Sequence, residues 1–344
     1  MRTVIIQTAF IGDVVLCSSL IEALAREGHS VGFVVKPEAA NILEHNPDIF
    51  KLHVFDKLGK DSGITGLLSM SKKIRADEYH AALVPHRSLR SAALARFARI
   101  PVRIGFSNSA GSWLFTHKIA YRKTAHEIVR NHDLLEPVGI ANAPSAPTIT
   151  VTQEDINAAK DFFKRCGIGD NDAVVGFGPG SKWFTKQWGV ERYRKLAELI
   201  TNETNCRVAC FGGKDEKALG AAICGAHSDA VYSATGSLSL RESAAALKKM
   251  RVVVTNDNGL MHIASAAGTP VVAIFGPTVP EFGFAPLGDN HTIMGRNLYC
   301  RPCSIHGTKS CPEKHFRCMK EIEPEDVYSA VKKYISPGKT PYDD

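Results

Sequence analysis

Asp13 follows the first glycine of the chain, in the stretch Phe10-Ile11-Gly12-Asp13. The apolar run Val4–Gln7 predicts a strand before this stretch, and apolar residues at helical spacing predict a helix after it. Glycine permits a tight turn between them, so Asp13 is predicted at the start of a helix on the carboxyl edge of a sheet. A carboxylate in that place can act as a general base, or it can be an ordinary helix-capping acid.

A second candidate is the glycine-containing stretch from Gly178 to Trp188, which lies between a predicted strand and a predicted helix. Its glycines free backbone N–H groups, and the side chains of Ser181, Thr185 and Lys186 can meet phosphate oxygens. The G-x-x-x-x-G-K-[ST] pattern of a Walker A loop is absent. The alternative is a long surface loop with two partly buried tryptophans.

A third candidate is Asn256-Asp257-Asn258-Gly259-Leu260-Met261-His262, between an apolar strand and a helix. This placement directs backbone donors and the positive end of a helix to the edge of the sheet, which suits a diphosphate. Asp257 can also cap the helix, and His262 can also be a core histidine.

A fourth candidate is Phe211-Gly212-Gly213-Lys214-Asp215-Glu216, another turn from a strand through glycine to a helix. Either Asp215 or Glu216 could hold ribose hydroxyls, as acids do in other nucleotide-binding sheets, or it could cap the helix. The loop before Asp13 lacks G-x-G-x-x-G, which argues against a dinucleotide oxidoreductase.

Four of the nine cysteines are clustered near the carboxyl end. They are Cys300, Cys303, Cys311 and Cys318. One C-x-x-C pair among four cysteines can build a tetrahedral zinc site, although the second pair is more widely spaced than is usual in a zinc finger. Free or transiently oxidised thiols are favoured, with a structural metal and disulfides as alternatives. The other five cysteines are interpreted as reduced core residues.

These stretches require alternating strands and helices, the pattern of an α/β fold with parallel sheets. The 344 residues favour two domains, and the small-residue and proline stretch Ala143–Pro147 is a plausible linker between them. The predicted domains are Rossmann-like units over residues 1–150 and 151–320, facing each other across a cleft. Residues 321–344 are predicted as a closing helix, Pro324–Ile335, and a tail.

A formal net charge of +7 favours an anionic partner such as nucleic acid, phospholipid headgroups or a phosphorylated substrate. No apolar run reaches the roughly 18 residues needed to cross a bilayer, and the amino terminus does not have the form of a signal peptide. The expected location is therefore the cytoplasm, where a lipid substrate would be met at the membrane surface.

Taken together, the stretches at Phe10–Asp13, Gly178–Trp188 and Val254–His262 resemble glycosyltransferase family 9, the ADP-heptose:lipopolysaccharide heptosyltransferases. The segment Phe275-Gly276-Pro277-Thr278-Val279-Pro280-Glu281-Phe282 follows in the expected place. Within the family, the likeness is greatest to heptosyltransferase II. The resemblance implies a GT-B fold of two Rossmann-like domains, a sugar nucleotide bound by the second domain, inversion at the anomeric carbon, and neither a cofactor nor a catalytic metal.

The resemblance also implies roles for single residues. Asp13 is the candidate base for the acceptor hydroxyl, and Lys186 is the lysine that neutralises the leaving diphosphate. The remaining donor-binding residues implied are Ser181, Thr185, Asp257, Asn258, Gly259 and His262, with Asp215 or Glu216 on the adenosine ribose. The arginines Arg87, Arg90 and Arg103 lie where the family binds its acceptor, although a solvated helix face also explains such a stretch.

The implied partners are ADP-heptose and a lipopolysaccharide inner-core acceptor of the heptosyl-Kdo-lipid A type. Peripheral contact with the inner face of the inner membrane is expected, and no nucleic acid. Heptosyltransferase I or III, or another family member, is the alternative within the class. A GT-B-like sugar-nucleotide epimerase and a non-catalytic nucleotide-binding module are the alternatives outside it.

Overall fold

The computed structural model describes residues 1–141, 143–225 and 229–335. The chain forms two compact units, Met1–Thr150 and a second that begins at Val151. Each unit contains one sheet of six strands. The predicted fold class, α/β with two Rossmann-like parallel-sheet units, is confirmed.

The sheet of the first unit has the strand order β3-β2-β1-β4-β5-β6, and all its neighbouring strands are parallel. Its strands are β1 (Arg2–Ile6), β2 (Ser30–Val35), β3 (Ile49–Val54), β4 (Ala81–Val84), β5 (Val102–Phe106) and β6 (His117–Ile119). Its helices are α1 (Ile11–Leu16), α2 (Ser18–Arg26), α3 (Pro37–Leu43), α4 (Gly63–Ala76), α5 (Leu89–Phe97) and α6 (Glu127–Asp133). Short 3-10 helices span Ser112–Leu114 and Glu136–Val138.

The second unit repeats this topology with the order β12-β11-β10-β7-β8-β9, again entirely parallel. Its strands are β7 (Val174–Gly178), β8 (Arg207–Cys210), β9 (Val231–Ser233), β10 (Val252–Asn256), β11 (Val271–Ile274) and β12 (His291–Met294). Its helices are α7 (Gln153–Arg165), α8 (Val190–Glu203), α9 (Lys217–Cys224), α10 (Leu240–Leu247), α11 (Gly259–Ala266), α12 (Arg317–Lys320) and α13 (Pro324–Ile335). Short 3-10 helices span Phe184–Lys186, Lys214–Glu216 and Pro280–Phe282.

The central strands are largely buried because helices cover both faces of each sheet. In β10, for example, every residue from Val252 to Asn256 is buried. The closing helix α13 belongs to the core of the second unit, since its Val327 and Val331 are fully buried there together with Trp188. No helix among the described residues is long and apolar enough to span a membrane.

The helix predicted after Asp13 is divided in two in the structure. α1 ends at Leu16, and α2 begins at Ser18 after Cys17. α2 ends at Arg26, shortly before Gly28, whose positive φ of 72° is a conformation that favours glycine. The predicted linker lies against α2, because Ser145 Oγ donates to Glu22 Oε2 at 2.8 Å and the Thr148 N–H donates to Ser18 Oγ at 2.9 Å.

Candidate functional site

Each sheet has one switch point, where the strand order reverses at the centre. In the first unit it lies between β1 and β4, and in the second between β7 and β10. Open parallel sheets bind ligands beyond the carboxyl ends of these two strands. The stretches with Asp13 and Arg87 follow β1 and β4, and those with Lys186 and Asp257 follow β7 and β10. The topology therefore puts two of the candidate pairs at the two switch points.

Asp13 is the third residue of α1 and is partly buried. Its Oδ2 accepts a hydrogen bond from the backbone N–H of Phe10 at 3.1 Å. Burial is the largest effect on this carboxyl and, with the negative charge of Glu127, raises its pKa to about 6, while backbone hydrogen bonds and Arg87 act in the opposite direction. Asp13 thus accepts a hydrogen bond at the start of α1, and its raised pKa still suits a general base near neutral pH.

Glu127 belongs to a buried polar network beside Asp13. Its carboxylate pairs with Arg130 Nη1 at 2.8 Å and accepts from Tyr121 Oη at 3.2 Å. Arg87 lies over the face of the Tyr121 ring, 4.3 Å from its centre. The structure therefore links Arg87 to the surroundings of Asp13, and its place beside an acceptor stays a prediction.

Basic side chains gather at the same edge of the first sheet. Lys57 Nζ donates to the backbone oxygen of Thr8 at 2.7 Å, and Thr8 Oγ1 lies 3.0 Å from His86 Nδ1. Burial and the charges of Lys57, Lys36 and Arg87 lower the pKa of His86 to about 4. His86 is therefore neutral near pH 7, and the positive charge at this edge is carried by lysine and arginine.

Arg90 and Arg103 have other surroundings. Arg90 Nη2 donates to the backbone oxygens of Asp61 and Gly63, so it holds the loop before α4. Arg103 is at the amino end of β5, and its guanidinium donates to the backbone oxygens of Ile100, Pro101 and Leu114. The amino ends of parallel strands lie at the edge opposite Asp13, so the structure does not bring Arg103 to Asp13, and acceptor binding by Arg103 stays a prediction.

The loop after β7 is fixed by two asparagines. Asn256 Nδ2 donates to the backbone oxygen of Pro179 at 2.6 Å, and Asn258 Nδ2 donates to that of Gly180 at 2.7 Å. Asn258 Oδ1 also accepts from the Met261 N–H at 3.1 Å, so Asn258 is the residue that caps α11. The capping role considered for Asp257 therefore falls to Asn258.

Asp257 instead faces Lys186. Lys186 Nζ lies 2.6 Å from Asp257 Oδ2, and Thr278 Oγ1 donates to the same oxygen at 2.7 Å. Both charged side chains are only about one-tenth exposed, 12% for Lys186 and 11% for Asp257. The pair lies beside the first turn of α11, whose first residue is Gly259, so a cation and a helix amino terminus meet at this switch point.

Thr185 is used for structure. Its Oγ1 donates to the backbone oxygen of Thr308 at 2.9 Å and accepts from the Thr308 N–H at 2.8 Å. The residue is buried. The Thr185 hydroxyl therefore joins the 3-10 helix that carries Lys186 to the segment around Thr308, and its phosphate contact stays a prediction. Glycine at position 307 allows the two segments to approach closely. A Cβ there would lie 3.0 Å from Trp183 Cβ and 2.9 Å from Lys186 Cγ.

Glu216 and Asp215 differ in their environments. The Glu216 carboxylate accepts from the Gly213 N–H at 2.8 Å and packs where a Cβ on Gly180 or Gly212 would stand. Burial raises its pKa. Asp215 is exposed. Of the two candidate acids, Glu216 is the one held against the glycines of the β7 and β8 loops.

Ser181 and His262 complete the predicted set. Ser181 is partly buried, and its Oγ accepts from the Trp183 N–H at 3.3 Å. His262 is a buried residue of α11, a position that agrees with the core interpretation as well as with a site role.

All nine cysteines are free thiols in the described structure. Cys303 Sγ donates to the backbone oxygen of Cys300 at 3.0 Å, and the Cys303 N–H donates to Pro277 O at 3.0 Å. Within residues 1–141, 143–225 and 229–335, no group of three or more histidine, cysteine or acidic side chains is arranged to hold a metal ion. A structural metal at Cys300, Cys303, Cys311 and Cys318 stays an untested alternative.

Several residues that make hydrogen bonds or ion pairs near the carboxyl edges of the two sheets were not given a role from the sequence. They are Lys57, His86, Glu127, Asn256 and Thr278. Thr278 lies in a segment that the sequence already singled out, so it carried a usable signal, and His86 is the second residue after β4. Glu127 and Asn256 act through buried hydrogen bonds, which residue spacing does not reveal.

Comparison with known proteins gives one family. Residues 67–315 match the family described as glycosyltransferase family 9 (heptosyltransferase). A lipooligosaccharide heptosyltransferase 2 from Haemophilus influenzae is 29% identical over 308 residues, covering 86% of this chain and 88% of that protein. The lipopolysaccharide heptosyltransferase 3 of Escherichia coli is 23% identical and covers 94% of this chain and 95% of that protein.

Among solved structures, a glycosyl transferase family 9 protein from Veillonella parvula superimposes with a TM-score of 0.85 at 25% identity. The superposition covers 97% of this chain and 96% of that one. The similarity thus extends through both units, including the amino-terminal residues that lie outside the family match.

Proposed function

The chain belongs to glycosyltransferase family 9, and we propose that it transfers heptose from ADP-heptose to a heptose of the lipopolysaccharide inner core. The observation that carries this proposal is the Lys186–Asp257 pair beside the amino terminus of α11, at the switch point of the second sheet. A buried cation next to a helix amino terminus is suited to a diphosphate.

In this proposal the second unit holds the donor. Lys186 and the amino terminus of α11 receive the diphosphate and stabilise the negative charge that grows on it as ADP leaves. Asp257 holds the lysine ammonium in place from the other side. Glu216 receives the ribose hydroxyls, since its carboxylate lies over Gly180 and Gly212 at the same edge.

The first unit supplies the base. Asp13 takes the proton of the acceptor hydroxyl, whose oxygen then bonds to the anomeric carbon while the bond from that carbon to ADP breaks. A single displacement of this kind inverts the anomeric centre. The pKa of about 6 keeps Asp13 ionised near neutral pH while making it a stronger base than an ordinary aspartate. Arg87 is the cation proposed to meet the acceptor.

The reaction as proposed uses no cofactor and no catalytic metal. A sugar nucleotide already carries a good leaving group, so the enzyme must position two substrates, remove one proton and stabilise charge on phosphate. Lys186 and the amino terminus of α11 supply the positive charge for the last task.

The subtype proposed is heptosyltransferase II. It is supported by the 29% identity to a heptosyltransferase 2, although the 23% identity to a heptosyltransferase 3 extends over a larger part of the chain. A cytoplasmic enzyme in peripheral contact with the inner face of the inner membrane would meet a heptosyl-Kdo-lipid A acceptor there.

One experiment tests the proposal against its alternatives. The protein is incubated with ADP-heptose alone and with core acceptors that carry no, one or two heptoses, and both ADP release and acceptor mass are measured. Transfer to the acceptor with one heptose supports subtype II, and a preference for another acceptor assigns another subtype. Conversion of the sugar nucleotide without acceptor would indicate an epimerase, and binding without turnover a nucleotide-binding module.

A further inference from the structure

Large apolar side chains are exposed on three loops at the carboxyl edge of the first sheet. Leu58 follows β3 and is 80% exposed, Ile64 is the second residue of α4 and is 74% exposed, and Trp113 follows β5 and is 69% exposed. Leu68, one helical turn after Ile64, and Leu89, at the start of α5, are each 48% exposed. We call these five residues the apolar rim.

The loop that carries Leu58 is held in shape by hydrogen bonds. Asp56 accepts from the N–H groups of Gly59 and Lys60 at 2.9 and 3.1 Å, and Asp61 accepts from the Asp56 N–H at 3.0 Å. Gly66 lets the backbone of Asp61 pack directly on α4, where a Cβ would overlap it. Because the loop is fixed at both ends, Leu58 is kept in solvent by the fold itself.

The three loops of the apolar rim are also joined to each other. Arg90 in α5 donates to the backbone oxygens of Asp61 and Gly63 at 2.7 and 3.0 Å. A Cβ on Gly111 would come within 3.0 Å of Leu89 Cδ1, so the loop with Trp113 packs on the start of α5. These contacts join the three loops that carry the apolar rim to one another.

The charges beside the apolar rim are positive. Lys60 is exposed in the same loop as Leu58, Lys72 is exposed one helical turn after Leu68, and α4 contains no acidic residue between Gly63 and Ala76. The two acids of the adjoining loop, Asp56 and Asp61, are turned to backbone N–H groups. Exposed leucine, isoleucine and tryptophan flanked by lysine match an anionic lipid surface, in which apolar side chains enter the headgroup boundary and lysines meet phosphate.

We propose that the apolar rim is the surface by which the chain binds an anionic phospholipid bilayer. The inference rests on the proposed function in one respect, since a lipid-borne acceptor gives such binding a purpose. The apolar rim shares the carboxyl edge of the first sheet with Asp13, so a bilayer on it would present lipid headgroups at the edge that carries the proposed base.

Vesicle co-sedimentation of the full chain tests the proposal without any sugar substrate. Vesicles of phosphatidylcholine, with and without phosphatidylglycerol, are compared for the wild type and for the triple variant Leu58→Ser, Ile64→Ser, Leu68→Ser. We expect binding to the anionic vesicles only, and at least roughly tenfold weaker binding by the triple variant. The wild type should also show a blue shift of Trp113 fluorescence on binding, which Trp113→Phe removes.

The matched control is Phe50→Ser, which removes an apolar side chain of 52% exposure from the amino end of β3 in the same unit. It should bind vesicles as the wild type does. Equal binding by the wild type and the triple variant, or no binding of the wild type to anionic vesicles, overturns the proposal. Lipid-free self-association that the triple variant abolishes would also overturn it and assign the surface to a second copy of the chain.

Transfer to a delipidated core oligosaccharide separates this proposal from the proposed function. The triple variant should retain that activity and its melting temperature, because none of its three side chains is buried. Vesicle binding without any transfer by the wild type would leave the bilayer surface standing and remove the heptosyltransferase proposal.

Discussion

Lys186 Nζ lies 2.6 Å from Asp257 Oδ2, and the two residues come from loops that follow neighbouring central strands, β7 and β10. Thr278 Oγ1 shares the same carboxylate oxygen at 2.7 Å. The helix cap next to this pair is made by Asn258, so Asp257 is free to position a cation. A lysine held in this way can approach a diphosphate without first losing the freedom of a long side chain, which lowers the entropic cost of binding.

Replacing Lys186 by alanine should weaken ADP binding by about tenfold to a hundredfold, the usual range for a hydrogen bond to a charged group. Calorimetry with ADP measures this, and Lys195→Ala, at an exposed position on α8, controls for the loss of one positive charge. Unchanged ADP affinity together with unchanged turnover would remove Lys186 from the donor site. The double variant Lys186→Ala, Asp257→Asn should lose less ADP-binding free energy than the sum of the losses in the two single variants, because the residues act as a pair.

Glu216→Ala should weaken ADP binding several-fold, whereas Asp215→Ala should leave it within experimental error. The neighbouring acids form a matched pair, since Glu216 packs over Gly180 and Gly212 while Asp215 is exposed. The affinity of Glu216→Ala for ADP and for 2′,3′-dideoxy-ADP should be nearly equal if the lost contacts are those to the ribose hydroxyls. A larger effect from Asp215→Ala would reverse the assignment.

Apolar runs in the sequence predict eight strands, and these are the four central strands of each sheet. The predicted strands are Val4–Gln7, Val31–Val35, Ala81–Val84, Val102–Phe106, Ala173–Phe177, Arg207–Phe211, Val252–Thr255 and Val271–Phe275. The four strands without a prediction are β3, β6, β9 and β12, and each of them forms an edge of its sheet. Central strands are buried on both faces and read as continuous apolar runs, whereas an edge strand such as β6, with the sequence His117-Lys118-Ile119, is largely exposed. The hydrophobic signal therefore weakens at the positions where the sheet meets solvent.

The predicted site residues divide in a similar way. Asp13, Lys186 and Asp257 each follow a predicted strand, and the sequence therefore predicted their place at the carboxyl edge of a sheet. The topology of a parallel sheet alone determines that placement. Residue type did not reveal that the Thr185 hydroxyl is occupied by Thr308, a partner 123 residues away. Hydrogen bonds between distant segments depend on packing, and one sequence carries no direct signal for them.

The nine cysteines should all titrate as thiols when the protein is unfolded in the absence of reductant, because the described structure contains nine free cysteines. In the native protein Cys17, Cys206, Cys210 and Cys318 are buried and should react slowly with a thiol reagent, and the other five faster. Seven titratable thiols would indicate a disulfide.

Elemental analysis under reducing conditions then tests the metal alternative for Cys300, Cys303, Cys311 and Cys318. Less than about a tenth of an equivalent of zinc or iron would eliminate it, given the tight binding typical of structural sites. If metal is present, Cys303→Ser should lower the melting temperature more than it lowers turnover at a permissive temperature. The opposite result would place the cysteine cluster in the reaction itself.

Transfer should continue in excess EDTA. The proposed stabilisation of the leaving diphosphate comes from Lys186 and the start of α11. The D-x-D triplet of the sequence, Asp170-Asn171-Asp172, precedes the amino end of β7, at the sheet edge opposite Lys186. ADP release is measured with and without chelator at a saturating donor concentration. Activity that EDTA abolishes and added magnesium restores would contradict the metal-independent mechanism.

Asp13→Asn should lower turnover by at least roughly a hundredfold, because general-base catalysis contributes about that much or more. ADP binding, which is assigned to the second unit, should persist. Asp48→Asn, at an exposed carboxylate of the same unit, is the matched control and should retain transfer. Near-normal turnover of Asp13→Asn would remove this residue from the mechanism.

The pH dependence gives a second, independent test of Asp13. Its pKa of about 6 predicts that kcat/KM falls about tenfold per pH unit below pH 6 and levels off above it, since only the carboxylate accepts a proton.

The raised pKa of Asp13 also affects the free energy of unfolding, and here the favourable effect lies at low pH. The folded state binds the proton more tightly than the unfolded state, for which the pKa is near 3.8, so the contribution of Asp13 to stability is present at low pH and is lost as pH rises toward and through 6. Asp13→Asn should therefore be at least as stable as the wild type at pH 7, and this difference should shrink at pH 5. Melting temperatures of both proteins at the two pH values measure it. A variant that is inactive and also markedly less stable at pH 7 would show that Asp13 serves the fold and not proton transfer.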